Sequence, residues 1–437
     1  MSTTATSFQP ATMATRASEQ AISFLMQQGV ENADCLSLAA GLVDPHTLPV
    51  DLVREATDRI LTPETGPLAL QYGTTTGSEE LRSVFRDYLA ELENQSPQAT
   101  QLPLGQIMLT TGSQQLLALV SQAVFNPGDI CLVAAPTYFV YLGVLDGVGA
   151  ETIPVDTDGD GMCPQALDRK LAELAEAGQL HRVRMVYVVS YHDNPAGVSV
   201  SEQRRPELVR TVKKWSQEQP IFLLEDAAYR ELHYDGPRQR SLWSYDDSYQ
   251  SDEDETVILS QTFSKSFSPG IRVGVGVLPR QLVKPVADLK GNEDFGSTHL
   301  SQNIVAHVLR TGAYARHVEQ LISSYREKRD AMLAAAEEFF SDIPGVSWLQ
   351  PKGGLYVWMS LPDAVATGFD SPLFERATSV DKVMYVPGEL CYPSAWDKRP
   401  TNQMRLSYGV LGPEALRESM RRLASAVRAV LDSAVEA

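Results

Sequence analysis

The chain has 437 residues, 43% apolar and 21% charged, which is the balance of a soluble globular protein with room for two or three folding units. A net charge of -18 repels nucleic acid and acidic membrane surfaces, and no run of about 18 apolar residues offers a transmembrane helix. Cys35, Cys131, Cys163 and Cys391 form no CxxC pair and the seven histidines have no ligand spacing, so unpaired thiols in a reducing, cytoplasmic compartment and no metal site are expected.

Met1 to Thr15 is rich in Ser, Thr and Ala and lacks the basic start and apolar core of a signal peptide, so residues 1–15 are expected to form a disordered tail. Residues 16–60 read as a mobile segment at the mouth of a site. Ala17 to Gln28 has helical spacing, and Leu36-Ser37-Leu38-Ala39-Ala40-Gly41 is a short strand running into a Gly turn. Asp51 to Leu61 is a helix with Asp51 as its N-cap.

From about residue 105 strands and helices alternate. Ile107–Thr110, Ile130–Ala134, Met185–Val189, Ile221–Leu224, Val257–Ser260 and Val273–Val277 read as strands, and Ser113–Phe125 as a helix. The strands are short apolar runs without clean alternation, the pattern of strands buried on both faces of a mostly parallel α/β sheet. Residues 61–300 form this large domain. The acidic stretch from Tyr245 to Glu255 reads as a solvated loop.

Near residue 300 the pattern changes to a second, smaller α+β unit, residues 301–437. Ser301 to Phe340 is helical in two or more pieces. Val346–Leu349 and Leu355–Met359 flank Pro351-Lys352-Gly353-Gly354 as a strand pair. Met404–Ser407 is a further strand, and Glu414 to Leu431 a closing amphipathic helix.

Lys265 is the residue with the most telling surroundings. It lies in Thr262-Phe263-Ser264-Lys265-Ser266-Phe267-Ser268-Pro269-Gly270-Ile271-Arg272, after an apolar strand. An amine can form a Schiff base with an aldehyde, while hydroxyls and a guanidinium can hold a phosphate; pyridoxal phosphate offers both groups. Four other features sit at the carboxyl ends of expected strands, where open α/β sheets place ligands. Thr111-Gly112-Ser113-Gln114 opens a helix and exposes N–H groups to an anion, or is a plain N-cap at Ser113. Tyr138, in Pro136-Thr137-Tyr138, can stack on a flat ring or fill the core. Asn194, in Asn194-Pro195-Ala196-Gly197, can donate to a phenolate oxygen or merely begin a turn. Asp226, with Tyr229 three residues on, is a carboxylate that needs a cation; a protonated pyridine nitrogen would serve, and capping is the alternative.

In this order the segments resemble a fold type I, pyridoxal-phosphate-dependent aminotransferase of class I/II. The similarity is greatest to the branch with aminoadipate and kynurenine aminotransferases. It spans about residues 16–434 and is carried by Leu38-Ala39-Ala40-Gly41-Leu42, Leu70-Gln71-Tyr72-Gly73, Thr111-Gly112-Ser113-Gln114-Gln115, Pro136-Thr137-Tyr138, Asn194-Pro195-Ala196-Gly197, Asp226-Ala227-Ala228-Tyr229, Ser264-Lys265 through Arg272, and Met404-Arg405-Leu406-Ser407. The turn reads Asn-Pro-Ala-Gly where Asn-Pro-Thr-Gly is usual; that threonine makes no cofactor contact in the family.

The resemblance implies a mostly parallel seven-stranded sheet in the large domain. It implies that Lys265 binds the cofactor aldehyde and shuttles a proton, and that Asp226 pairs with the ring nitrogen. Asn194 and Tyr229 would bond the ring oxygen and Tyr138 would stack on the ring. Ser113, Gln114, Ser264 and Arg272 would hold the phosphate, with Tyr72 reaching the neighbouring subunit's phosphate in a homodimer. Arg405 would grip the substrate α-carboxylate, with Gly41 and Asn194 beside it, and Arg16 is a candidate contact for acidic side chains. The implied reaction moves an amino group from an L-amino acid to a 2-oxo acid, 2-oxoglutarate or pyruvate. Alternatives on the same scaffold are a C–S lyase, a decarboxylase, a cyclising lyase or a cofactor-binding sensor. About 35 residues precede the Gly41 strand, too few for the winged DNA-binding module of such regulators.

Overall fold

The computed structural model describes residues 8–16, 24, 34–39, 41–96, 102–247 and 255–436. The expected helix Ala17–Gln28, residue 24 apart, and most of the acidic 245–255 loop lie outside them. Residues 12–15 of the expected tail, together with Arg16, are helical.

The strands in chain order are β1 (Leu36–Ser37), β2 (Ile107–Thr110), β3 (Ile130–Ala135), β4 (Glu151–Asp158), β5 (Gly161–Met162), β6 (Val183–Val189), β7 (Phe222–Asp226), β8 (Val257–Thr262) and β9 (Gly274–Val277). In the C-terminal part follow β10 (Ser347–Trp348), β11 (Tyr356–Ser360), β12 (Val383–Met384), β13 (Val386–Pro387) and β14 (Gln403–Ser407). The large sheet runs β2-β9-β8-β7-β6-β3-β4-β5. Strands β8, β7, β6, β3 and β4 are parallel, while β9 is antiparallel to both its neighbours. Every residue of β2, β7, β8 and β9 is buried, as their continuous apolar runs demand.

The sheet has eight strands rather than the seven expected, because the two-residue β5 folds back on the end of β4. Strand β4 itself escapes a reading based on buried runs. It lies at the sheet's margin, carries Pro154 and two aspartates, and is exposed or half-buried along most of its length. Edge positions tolerate proline and charge.

Around residue 300 the helix pattern resolves into His299–Arg310 and Ala313–Phe340, broken at Thr311-Gly312. The first helix and the start of the second, through Val318, pack on the large-sheet core. From Leu321 onward the same helix packs on the second core, against the sheet β10-β11-β14-β13 and the closing helix Pro413–Glu436. Strand β1 pairs in parallel with β12, which ties the N-terminal segment to this smaller unit. Asp51 is not the N-cap of its helix. The helix spans Val50–Ile60 with Pro49 at the cap position, and Asp51 lies in the first turn, where it pairs with Arg54 at 2.8 Å and complements the positive end of the helix dipole.

Candidate functional site

Strand β7 ends in two acids with opposite fates. Side chains alternate across a strand, so Glu225 and Asp226 face different ways. Glu225 is fully buried and pairs with Arg205 at 3.4 Å. It also accepts the Ser190 hydroxyl at 2.6 Å and the backbone N–H groups of Leu242 and Trp243. That set satisfies a buried carboxylate and pins the ends of β6 and β7 together. Among the described residues Asp226 has only the Tyr187 hydroxyl at 3.0 Å and the Ala228 N–H at 3.2 Å as partners of its side chain, and no cation. Burial therefore pushes its carboxyl up to about 6, while the hydroxyl and N–H pull the other way. A carboxylate so placed is ready to pair with a protonated ring nitrogen.

The turn after β2 opens a helix with its N–H groups free of any side-chain cap, the arrangement that suits an anion. Gly112 takes φ +75 and caps the helix Ser113–Val124 with its backbone alone, so the alternative of a plain N-cap at Ser113 does not arise and its hydroxyl is free of the cap. The Arg272 guanidinium closes over this turn. Its Nη2 donates to Thr111 O at 3.0 Å and would lie 2.5 Å from a Cβ on Gly112. Arg272 holds φ +51, a left-handed conformation uncommon for a side-chain-bearing residue and one found often at functional sites. From β9, Gly274 permits the close approach: a Cβ there would meet Ser113 N at 2.6 Å. Ser264 completes the rim, its hydroxyl accepting that of Thr262 at 3.0 Å.

The amine and the guanidinium meet across one short segment. Lys265 Nζ donates to Gly41 O at 2.8 Å, and Arg405 Nη2 donates to Ala39 O at 2.8 Å. Arg405 is 1% exposed; its Nη1 donates to Asn194 Oδ1 at 2.9 Å, and its Nε has no partner. The guanidinium stacks over Tyr356 at 4.4 Å and lies 5.6 Å from the Phe139 ring. Tyr356 and Tyr229 share a 3.1 Å contact between their hydroxyls, and Lys265 Nζ is 6.0 Å from the Tyr229 ring. Burial, followed by the nearby Tyr356, raises the Tyr229 pKa well above the usual phenol value. Tyr138 is raised too, chiefly by burial, with Tyr356, Asp226, Arg405 and Arg272 all close enough to act on it.

Thus Lys265, Asp226, Tyr229, Tyr138, Asn194, Arg405, Gly41, Ser113, Ser264 and Arg272 line one end of the sheet, and Gln114 follows Ser113 on the helix after β2. Two candidates stand apart. Tyr72 is 79% exposed on the chain's surface, its ring 5.5 Å from Phe295. Arg16 packs against Gly149 at the opposite end of the sheet, where the gap beside a side-chain-less residue receives its guanidinium; within this chain it is not at the site. Sequence reasoning missed Tyr187, Tyr356, Phe139 and Ala39. Only Tyr187 left a signal, a lone phenol inside the apolar run Met185–Val189, whose hydroxyl had to find a partner.

A family model, "Aminotransferase class I and II", matches residues 33–423. The chain belongs to this family. The aromatic-amino-acid aminotransferase 1 of Thermococcus litoralis is 34% identical, covering 91% of this chain and 89% of that one. The structure of Pyrococcus horikoshii kynurenine aminotransferase in complex with PMP is 31% identical, with a TM-score of 0.85 and coverage of 96% and 97%. The α-aminoadipate aminotransferase LysN from Thermus thermophilus, complexed with a phosphopyridoxyl-leucine, is 30% identical, with a TM-score of 0.80 and coverage of 97% and 98%. The aminotransferase is a pyridoxal-phosphate-dependent enzyme of amino-group transfer with the fold type I architecture. Its own residues fit the cofactor: a buried carboxyl that no cation partners, a candidate anion cradle that side chains on Gly112 or Gly274 would fill, and a lysine on the same wall.

Proposed function

We propose that this aminotransferase moves the amino group of an L-amino acid to 2-oxoglutarate or pyruvate, with Lys265 as its acid-base group. When bound, pyridoxal phosphate supplies an aldehyde for the substrate amine and a ring that accepts electrons from the α-carbon. Ser113, Gln114, Ser264 and Arg272 hold its phosphate, helped by Tyr72 from the other subunit of a homodimer. Tyr138 stacks on its ring, Asn194 and Tyr229 bond its phenolic oxygen, and Asp226 keeps its nitrogen protonated. Lys265 takes the α-proton at Nζ and returns it, a role suited to an amine within reach of both groups. Arg405 binds the α-carboxylate through a planar fork that a lysine could not reproduce, with Gly41 and Asn194 beside it. Charge, thiols and the absence of an apolar span in the sequence suit work in the cytoplasm on small molecules.

The observation that supports this reading is the tethering of Lys265 and Arg405 to Gly41 and Ala39, which holds amine and guanidinium on one short segment, as a single small substrate would require. The relatives' names make aromatic amino acids, kynurenine and aminoadipate the first donors to try. The test is the visible spectrum of the cofactor-loaded protein with a panel of amino acids. The cofactor band should bleach with a true donor and return on adding the 2-oxo acid. Bleaching without return, with ammonia or carbon dioxide released, would instead make the enzyme a lyase or decarboxylase.

A further inference from the structure

A second cavity, of about 360 Å3, opens between the two units beside the site but outside it. Its large-domain wall comes from the ends of β3, β4 and β6, and its small-domain wall from β10, β11 and β14. None of the residues assigned above to cofactor or substrate lines it. Its size is that of a small-molecule pocket.

Its chemistry is lopsided. Trp348, Trp358 and Tyr392 contribute aromatic surface, and Met162 and Val200 add apolar surface. One group in it lacks what burial demands. Asp193 is 9% exposed, and its Oδ1 has no hydrogen-bond partner. Buried polar atoms are ordinarily satisfied, so this oxygen is either destabilising or kept for a ligand. The other lining carboxylate, Asp158, is already paired with Arg204 at 2.6 Å. Among the described residues, no lysine, arginine or histidine lines the cavity.

We propose that this cavity is a second binding site, and that its ligand is a small amine with an apolar body and no carboxylate. The ammonium pairs with Asp193, and the body packs against Trp348, Trp358 and Tyr392. Aromatic faces attract cations, and a buried carboxyl with an open oxygen gives a charge-assisted hydrogen bond. An amino acid is excluded by the same inventory, since its carboxylate would be buried with no cation to meet it. Burial raises the Asp193 carboxyl well above the ordinary range, with the Ala196 N–H opposing; a bound ammonium supplies the charge that restores its ionised form. This inference does not depend on which amino acid the enzyme uses.

The probe is N,N-dimethylphenethylamine, a tertiary amine that cannot condense with the cofactor aldehyde. It is titrated calorimetrically into the cofactor-loaded enzyme. Saturable binding of one probe per chain is expected. Phenylpropionate, which would seek Arg405, should not displace it. Asp193→Asn should weaken it about tenfold or more, the loss expected for a hydrogen bond to a charged group. Trp348→Ala, on the edge strand β10, should weaken it several-fold and serves as the second variant if Asp193→Asn does not fold. No saturable binding, displacement by phenylpropionate, or unchanged affinity in the folded variants would each overturn the proposal.

Discussion

Asp226 is a buried carboxyl that weakens the fold, in keeping with its proposed pairing with the cofactor nitrogen. Its carboxyl is raised to about 6 from an ordinary 3.8. A group with a raised folded pKa favours the native state only while protonated, so its contribution is complete below 3.8 and is lost as pH rises through about 6. A shift of this size amounts to about 3 kcal/mol. The cofactor-free Asp226→Asn variant should therefore be more stable than cofactor-free wild type at about pH 8, by up to about 3 kcal/mol, and should lose that advantage near pH 4. Denaturant melts of both proteins at the two pH values measure it. The cofactor-loaded variant should turn over roughly 10²–10³-fold more slowly, the scale of other preorganised electrostatic groups. Near-normal turnover would remove Asp226 from the proposed machinery. Lys265, Asp226 and Asn194 were legible as residues because each is a polar group beyond or at the end of an apolar run, and Arg405 through the resemblance carried by Met404-Arg405-Leu406-Ser407. Tyr356 and Ala39 were not: what matters about them is a contact with Arg405, which lies far along the chain from both, stacks over the ring of one and donates to the carbonyl of the other.

At the scale of elements, the candidate anion cradle depends on two strands that sequence order keeps apart. Strand β2 leads into the Gly112 turn, and β9 pairs with β2 so that Thr110 faces Gly274. A glycine at 274 lets the turn lie directly against the strand. Gly274→Ala would force the Ser113 backbone outward, since its Cβ would stand 2.6 Å from Ser113 N. We expect about 1–3 kcal/mol of destabilisation, the usual range for overpacking. Cofactor affinity should fall about tenfold or more if the N–H groups of this turn hold the phosphate. Titration of the visible band with added cofactor reads the second effect separately from a thermal melt. If affinity is unchanged while stability drops, the turn is structural and the phosphate assignment fails. The missed β4 belongs to this scale too, because an edge strand is recognised by what it pairs with rather than by its own apolarity.

At the scale of the whole molecule, one exposed apolar group among the described residues bears on assembly. Leu68, Leu70, Tyr72 and Phe295 are 70%, 68%, 79% and 63% exposed, and Tyr72 and Phe295 are in ring contact. Large apolar groups clustered on a surface mark an interface, which agrees with the proposed reach of Tyr72 into a second subunit. The protein should sediment at twice the chain mass, and Leu70→Asp should shift it toward the monomer with loss of turnover. A fully active monomer would refute the shared site. By itself the sequence determined the α/β class and the order of the motifs, and through the family resemblance those motifs carry it determined the cofactor and named the candidate site residues. The class follows from a local rule, that strands buried on both faces are apolar throughout; the resemblance rests on functional groups recurring at the strand ends. Only the tertiary structure decided which residues meet. It set Arg405 between Ala39 and Asn194, left Asp226 without a cation while Glu225 gained one, and opened the cavity at Asp193. Each of these is a contact between distant parts of the chain, set by how two sheets and a shared long helix pack, and no local pattern encodes it.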